Sequence, residues 1–393
     1  MADSFSFNGS LFMPKGNNKH SSYEEKSNGK ADIKTLSFAC NTPAGVQFLR
    51  LNYAKSKNEE KIPPLYLMDS SNKKLVVPFK ERFNPEYTKQ VPNYLKFILD
   101  TETNPKRRQE MRKILSDYKD KLEEIPQETL QSVGCNTVED LKKAYKQSLS
   151  KRKSFLSQWD YIDAVLEAFE NNEFKEGNFR INGRININHG EKYDFVDYIP
   201  YSITSTSDEI SEPATARVNV FFDQNALMET DEGFQLNGFL EYWYKSPVND
   251  KGSKQYSPYS IMIPLDTVKP ELIDKVKNKY RSIFHIDSPS EVRELGLIVD
   301  MVNGSVKKKL TIDDLDEEQR ELVEFGLLDL QEALDYLGGA MRSEVVKANI
   351  FKKIQPNFIQ GAKPAAVGAD KLGFFDPALE TDDFVDFEDG LPF

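Results

Sequence analysis

Residues 178–190, NFRINGRININHG, decide the fold class. Phe179, Ile181, Ile185 and Ile187 take alternate positions, with Gly183 between them. Arg180, Asn182, Arg184, Asn186 and Asn188 take the positions in between. Side chains of an extended chain point to opposite faces in turn, so the stretch has one apolar and one polar face. It reads as a half-buried strand. A glycine inside such a strand, here Gly183 and again Gly238 further on, marks a bulge or sharp bend of the kind small barrels need.

Toward the C-terminus four more segments have strand character: KYDFVDYIPYSI, ARVNVFFD, FQLNGFLEYWYK and SPYSIMIPL. Together they predict a five-stranded β unit within residues 158–268. Toward the N-terminus, FSFNGSLFMP, IKTLSFACNT, GVQFLRLNYAKS, PPLYLMD and KLVVPF predict another over residues 1–100, separated by turn-rich stretches. Five short strands with uneven loops fit a small, partly open barrel. Between the two units, residues 101–157 switch to helical period. Met111, Ile114, Leu115, Tyr118 and Leu122 recur at i, i+3 and i+4, and Thr137 with Asp140 forms a capping box ahead of a second helix. WDYIDAVLEAFENN is a third helix. Residues 269–356 also read as helical. Ser288, Pro289 and Glu291 supply a capping box before VRELGLIVDMV, 314–339 is long and amphipathic, and SEVVKANIFKKI follows. Residues 357–393 are a Gly/Ala/Pro linker and an acidic end. The fold class expected is α+β.

The 393 residues carry a net charge of −11, unevenly placed. Residues 1–157 hold 28 Lys and Arg against 19 Asp and Glu; residues 158–393 hold 24 against 44. The front half is basic and the back half acidic. No run of about 18 apolar residues is present, so no membrane span is expected. The first residues lack the basic and apolar regions of a secretion signal. The only cysteines, Cys40 and Cys135, point to a reducing cytoplasmic setting without a disulfide framework. His20, His189 and His285 have no metal-ligand spacing, and no phosphate loop, dinucleotide fingerprint or nucleophile elbow occurs. No cofactor, metal or catalytic site is expected.

The most specific motif is the end of the chain, TDDFVDFEDGLPF, residues 381–393. Asp386, Glu388 and Asp389 lead to Leu391, Pro392 and Phe393. This resembles the C-terminal tip of bacterial single-stranded DNA-binding proteins and some bacteriophage counterparts, with Leu391 where isoleucine is common and Gly390 interrupting the acids. The resemblance covers about a dozen residues directly. It implies that the β units are barrels of the oligonucleotide-binding type, that the tail is disordered, and that the tip recruits replication, recombination or repair proteins. Phe393 would supply about 2 kcal/mol on burial, and the acids would steer toward basic partners.

A single strand needs a basic groove and aromatic faces for stacking. Arg50, Tyr53 and Lys55 in the first unit, and Arg180, Arg184, Tyr193, Phe195, Trp243 and Tyr244 in the second, are the candidates. Arg50 shares a face with Phe48 and Asn52, while Tyr53 shares the face of Leu49 and Leu51 and competes for a place in the core. The plain alternative puts the rings in the core, pairs the arginines with local acids, and makes Arg107, Arg108, Arg112 and Lys113 a solvated helix face. The competing functions are an acidic replisome or recombination accessory protein that binds proteins and not DNA, and an unrecognised metal-dependent nuclease.

Overall fold

The computed structural model describes residues 3–14, 22–119, 121–188, 195–206, 213–244, 253–287, 291–312, 315–336, 341–355 and 367–368. In chain order the elements begin with β1 (Ser4–Phe12), β2 (Tyr23–Ser27), β3 (Ala31–Thr42), β4 (Gly45–Ser56), β5 (Leu65–Met68), β6 (Lys74–Val77), α1 (Pro85–Gln90) and β7 (Phe97–Asp100). The helical insertion follows as α2 (Pro105–Asp117), α3 (Gln127–Ser132) and α4 (Val138–Ser150), then β8 (Arg152–Phe155) and α5 (Gln158–Glu170). Next come β9 (Asn178–Asn188), β10 (Phe195–Thr206), β11 (Ala214–Phe222), β12 (Leu227–Thr230), β13 (Gly233–Tyr244), β14 (Ser253–Pro264) and α6 (Ile273–Ile283). The last are β15 (Glu291–Lys309), α7 (Glu317–Glu324), α8 (Leu330–Tyr336) and β16 (Met341–Ile354). The fold is mixed α+β and rich in strand.

In the second half the pairings close a ring. β11 pairs with β13, β13 with β14, β14 with β16 in parallel, β16 with β15, and β15 with β11. The helix α6 lies in sequence between the third and fourth of these strands. In the first half β3 pairs with β4 and β1, β1 with β9, β9 with β10, and β10 with β7 in parallel. There β10 also lies beside β4, and α5 packs across β3, β4 and β7. β1 serves both halves, because Ser4–Phe7 pair with β9 along one edge and with β11 along the other. One apolar core runs through both, from Phe5 and Phe7 to Val299 and Met301. The insertion has its own small core of Met111, Ile114, Ile125, Leu130, Val133, Cys135 and Leu141.

Three expectations change. Residues 269–356 are not a helical region: 291–309 and 341–354 are the strands β15 and β16. Leu297, Val299 and Met301 are buried in strict alternation, and the ladders to β11 and β16 outweigh a local capping pattern that the chain does not use. The helix expected over 314–339 is two short ones. Gly326 takes a left-handed φ of +68°, and the Leu327 and Gly326 amides donate back to the Leu322 and Val323 carbonyls, which ends α7. The β units also divide differently. β9 and β10 join the first half, whereas β11, β13 and β14 complete their ring with β15 and β16. Strand pairs formed across long connections leave no local trace from which a boundary could be read.

Candidate nucleic-acid interface

β9 carries the polar face expected of it. Phe179, Ile181 and Ile187 are buried, and Arg180 and Arg184 are exposed. Register then extends this face across the molecule. Arg184 stands opposite Ser4 on β1, and Ser4 stands opposite Arg217 on β11, so both guanidinium groups lie in one row on one side of the sheet. Arg217 is exposed in a strand whose neighbours Ala216 and Val218 are buried. Among the described residues neither Arg184 nor Arg217 has a carboxylate partner. Tyr201 stands in the bulge where β10 shifts register between Pro200 and Ser202, and its ring is 37% exposed. Burial raises its phenol pKa, and the charge of Arg217, within electrostatic range, opposes the rise.

Arg180 is partly engaged: its Nε donates to Asn8 Oδ1 at 3.2 Å. Further along the face, Asn186 donates to Asn188 (2.9 Å) and Asn188 donates to Asp197 (2.7 Å). Asp197 also faces Arg50 of β4 across 3.8 Å, too long for a tight pair. Phe48, Arg50 and Asn52 point outward while Leu49 and Leu51 are buried, and the Phe48 ring is 59% exposed. Tyr53 turns inward against Trp159, with ring centroids 6.2 Å apart, and its pKa is raised chiefly by burial. Half-buried, it packs against the core and Trp159 instead of standing out with Phe48 and Arg50. Lys55 Nζ lies 4.2 Å from the Trp159 centroid and Lys34 Nζ 4.0 Å from it. Lys55 then borders a cleft of about 1040 Å³ shared with Lys57 and Lys80 but also with Asp32, Glu59 and Glu60.

On the second ring Trp243 is 67% exposed near the end of β13. It shares the outward face with Phe239 and Tyr256, but acids stand beside them. Glu241 accepts from Lys254 Nζ at 2.9 Å and from the Tyr256 hydroxyl at 3.4 Å. Glu294 has its pKa raised, first by burial and then by Glu241. Tyr193, the side chains of Phe195 and Tyr244, and the tip residues Asp386, Glu388, Asp389, Leu391, Pro392 and Phe393 lie outside the described residues.

The basic helix α2 is half structural. Arg108 grips the buried carboxylate of Asp100, and Arg107 Nε donates to the Val133 carbonyl at 2.8 Å, leaving Arg112 and Lys113 exposed. Arg217 and Tyr201 escaped the sequence reading. Alternation in ARVNVFFD was enough to place Arg217 outward, but nothing local announced that β1 would align it with Arg184. The bulge that turns Tyr201 out is a tertiary feature. Among the described residues no group of three or more His, Cys, Asp or Glu is placed to hold a metal, and no helix is long and apolar enough to cross a membrane.

No protein-family model matches the chain, and no curated protein matches it. Among solved structures, a deletion mutant of the single-stranded DNA binding protein from Thermus aquaticus aligns with 77% of this chain and 87% of its own. The identity is 9% and the TM-score 0.24. Chains that superpose so poorly have no demonstrated common fold, and the likeness carries no argument.

Proposed function

We propose that the chain binds single-stranded DNA across the outward strand faces of its first half and of the adjoining β11, without catalysis, and serves DNA replication, recombination or repair. The observation that carries this is the row of Arg184 and Arg217, exposed and free of carboxylates among the described residues, with the partly exposed Tyr201 on the neighbouring β10. Guanidinium groups without acid partners are available to phosphates, and binding them releases counterions from the strand. A partly exposed ring on the neighbouring strand offers a stacking face worth about 1–3 kcal/mol per base, open only to bases not already stacked in a duplex. On β4 Phe48 and Arg50 set an exposed ring on the same face as a guanidinium, there with the Asp197 carboxylate 3.8 Å away.

Connectivity supports the same reading. β11, β13, β14, β16 and β15 follow the strand order of an oligonucleotide-binding barrel, with α6 in the usual place before the fourth strand. The first half shares only part of that order: β3 pairs with β4, and β7 with β10 and β10 with β9, with α5 ahead of β9 and β1 between β9 and β3, but among the described strands β4 and β7 do not pair. A fold alone does not assign function, so the weight stays on the arginine row. The acidic tip recruits partner proteins in this proposal. The accessory-protein reading draws on Glu241 and Glu294 beside Trp243, which suit that face to a protein better than to phosphate.

Anisotropy titration of labelled oligo-dT against a duplex of equal length, at several salt concentrations, tests the proposal. The single strand binds more tightly, and log affinity falls linearly with log salt. Arg184→Ala with Arg217→Ala weakens binding on the order of tenfold and flattens the salt slope by about two, with the melting temperature unchanged. Equal affinity for duplex, or a double variant that binds like the parent, overturns it.

A further inference from the structure

The turn joining α7 to α8 exposes four large apolar side chains together. Phe325 is 72% and Leu327 75% exposed, with Leu322 and Leu330 flanking them. The hydrogen bond from the Leu327 amide to the Leu322 carbonyl closes the turn, so the four exposed residues lie within nine positions on one helix–turn–helix. Beneath lies a separate small core of Leu310, Leu315, Ala333 and Leu334, so the exposed four are surplus to what holds the helices down. Around them the charge is of one sign: among the described side chains of 310–336, seven exposed Asp and Glu stand against the single Arg320, whose guanidinium is turned onto the Leu315 carbonyl. An apolar patch ringed by acids fits an apolar group ringed by bases.

The chain carries such a group elsewhere. On α4, Lys142, Lys143 and Lys146 are exposed, and Leu149, one turn beyond Lys146, is exposed with them. Lys142, Lys146 and Leu149 follow i, i+4 and i+7 spacing and share a helix face. The insertion bearing α4 is attached through β7 and β8, and the α7–α8 cap through β15 and β16, so one molecule presents both surfaces.

We propose that the α7–α8 patch of one molecule docks on the lysine-and-leucine face of α4 of a second copy. The contact is head-to-tail. It joins unlike surfaces and leaves one of each free at the ends, and so builds a row or ring of copies instead of stopping at a two-fold dimer. This goes beyond the DNA-binding reading and is tested without DNA, so either can fail alone.

Sedimentation velocity of the full chain at low ionic strength measures it. The weight-average mass rises with concentration past that of a dimer and falls back on adding salt. Lys142→Glu/Lys143→Glu/Lys146→Glu removes one surface, and Phe325→Ser/Leu327→Ser the other. All five positions are exposed, so folding, checked by circular dichroism, survives. Each variant alone is monomeric, and an equimolar mixture gives a one-to-one dimer and nothing larger, because each supplies the surface the other lacks. A parent that stays monomeric, a parent that stops at a dimer, variants that assemble like the parent, or a mixture that stays monomeric would each overturn the proposal. So would a parent that remains monomeric while a synthetic Lys/Leu amphipathic peptide saturates the patch, which would assign the surface to another protein.

Discussion

Asp3 sits at the start of β1, where its backbone carbonyl accepts from the Ile185 amide and its carboxylate accepts from the Asn219 amide at 2.9 Å. It thereby ties β9 to β11 at the end of the arginine row. Burial pushes its pKa up to about 6, against the Asn219 hydrogen bond, and Glu294 and Glu241 add to the rise. The folded state therefore holds this proton more tightly than the unfolded chain does. Above pH 6 the ionised carboxylate opposes folding. As pH falls from about 6 to about 4, protonation in the folded state relieves that cost and stability from this group rises. Asp3→Asn keeps an acceptor for Asn219 and removes the charge. It should stabilise the protein at pH 7.5 by up to about 3 kcal/mol and abolish this part of the pH trend, read by urea unfolding at pH 5 and 7.5. Gly183 answers to packing at the same scale. A β-carbon there would lie 2.4 Å from the Phe5 ring and 2.3 Å from the Ile199 carbonyl oxygen. Gly183→Ala should cost about 1–3 kcal/mol by the same measurement, because both neighbours belong to closely paired strands.

At the scale of elements, a buried ion pair fastens the insertion to the first half. Asp100 ends β7 almost fully buried, and Arg108 of α2 meets it with both terminal nitrogens, one at 2.9 Å. Arg152 adds a second cation at 3.7 Å. Arg108→Ala leaves a buried carboxylate with only that weaker partner and should cost about 3 kcal/mol, whereas Arg112→Ala on the exposed side of the same helix should change stability by less than about 0.5. Thermal melts of the two variants check the contrast, and equal melting temperatures would place Arg108 with the solvated bases. How much of this level was legible varied by element. Thr137 and Asp140 form the capping box the sequence promised at α4, because caps are made by neighbours in sequence. At β15 the same kind of signal misled: Ser288, Pro289 and Glu291 resemble a helix start, yet Leu297, Val299 and Met301 were needed by two neighbouring strands.

For the molecule as a whole, charge is divided between a basic front half and an acidic back half, with seven acids and no base in the last 18 residues. A tethered anion competes with DNA for the molecule's own cations at an effective concentration of about millimolar for a short flexible linker. Deleting Asp376–Phe393 should therefore raise oligo-dT affinity, by about two- to tenfold at low salt, and the gain should vanish at high salt. Deleting only Leu391–Phe393 should leave DNA affinity unchanged while abolishing capture of partner proteins. Anisotropy and a pull-down with the two truncated chains separate these effects. A full deletion that binds DNA no better than the parent would remove the competition.

The alternation in NFRINGRININ and in QFLRLNY was enough, by itself, to make β9 and β4 strands and to turn Arg180, Arg184 and Arg50 outward, because the face of a strand residue depends only on its parity. The helical period of 106–122 likewise placed Met111 and Ile114 inside the insertion. Parity says nothing about which strand lies alongside. That Ser4 brings Arg184 level with Arg217, that Tyr53 is spent on Trp159, and that β15 and β16 close a ring with β11 all depend on contacts between residues as far as two hundred positions apart or more. Those contacts are chosen by how the apolar faces share one core, a property of the folded chain that no short stretch of it contains.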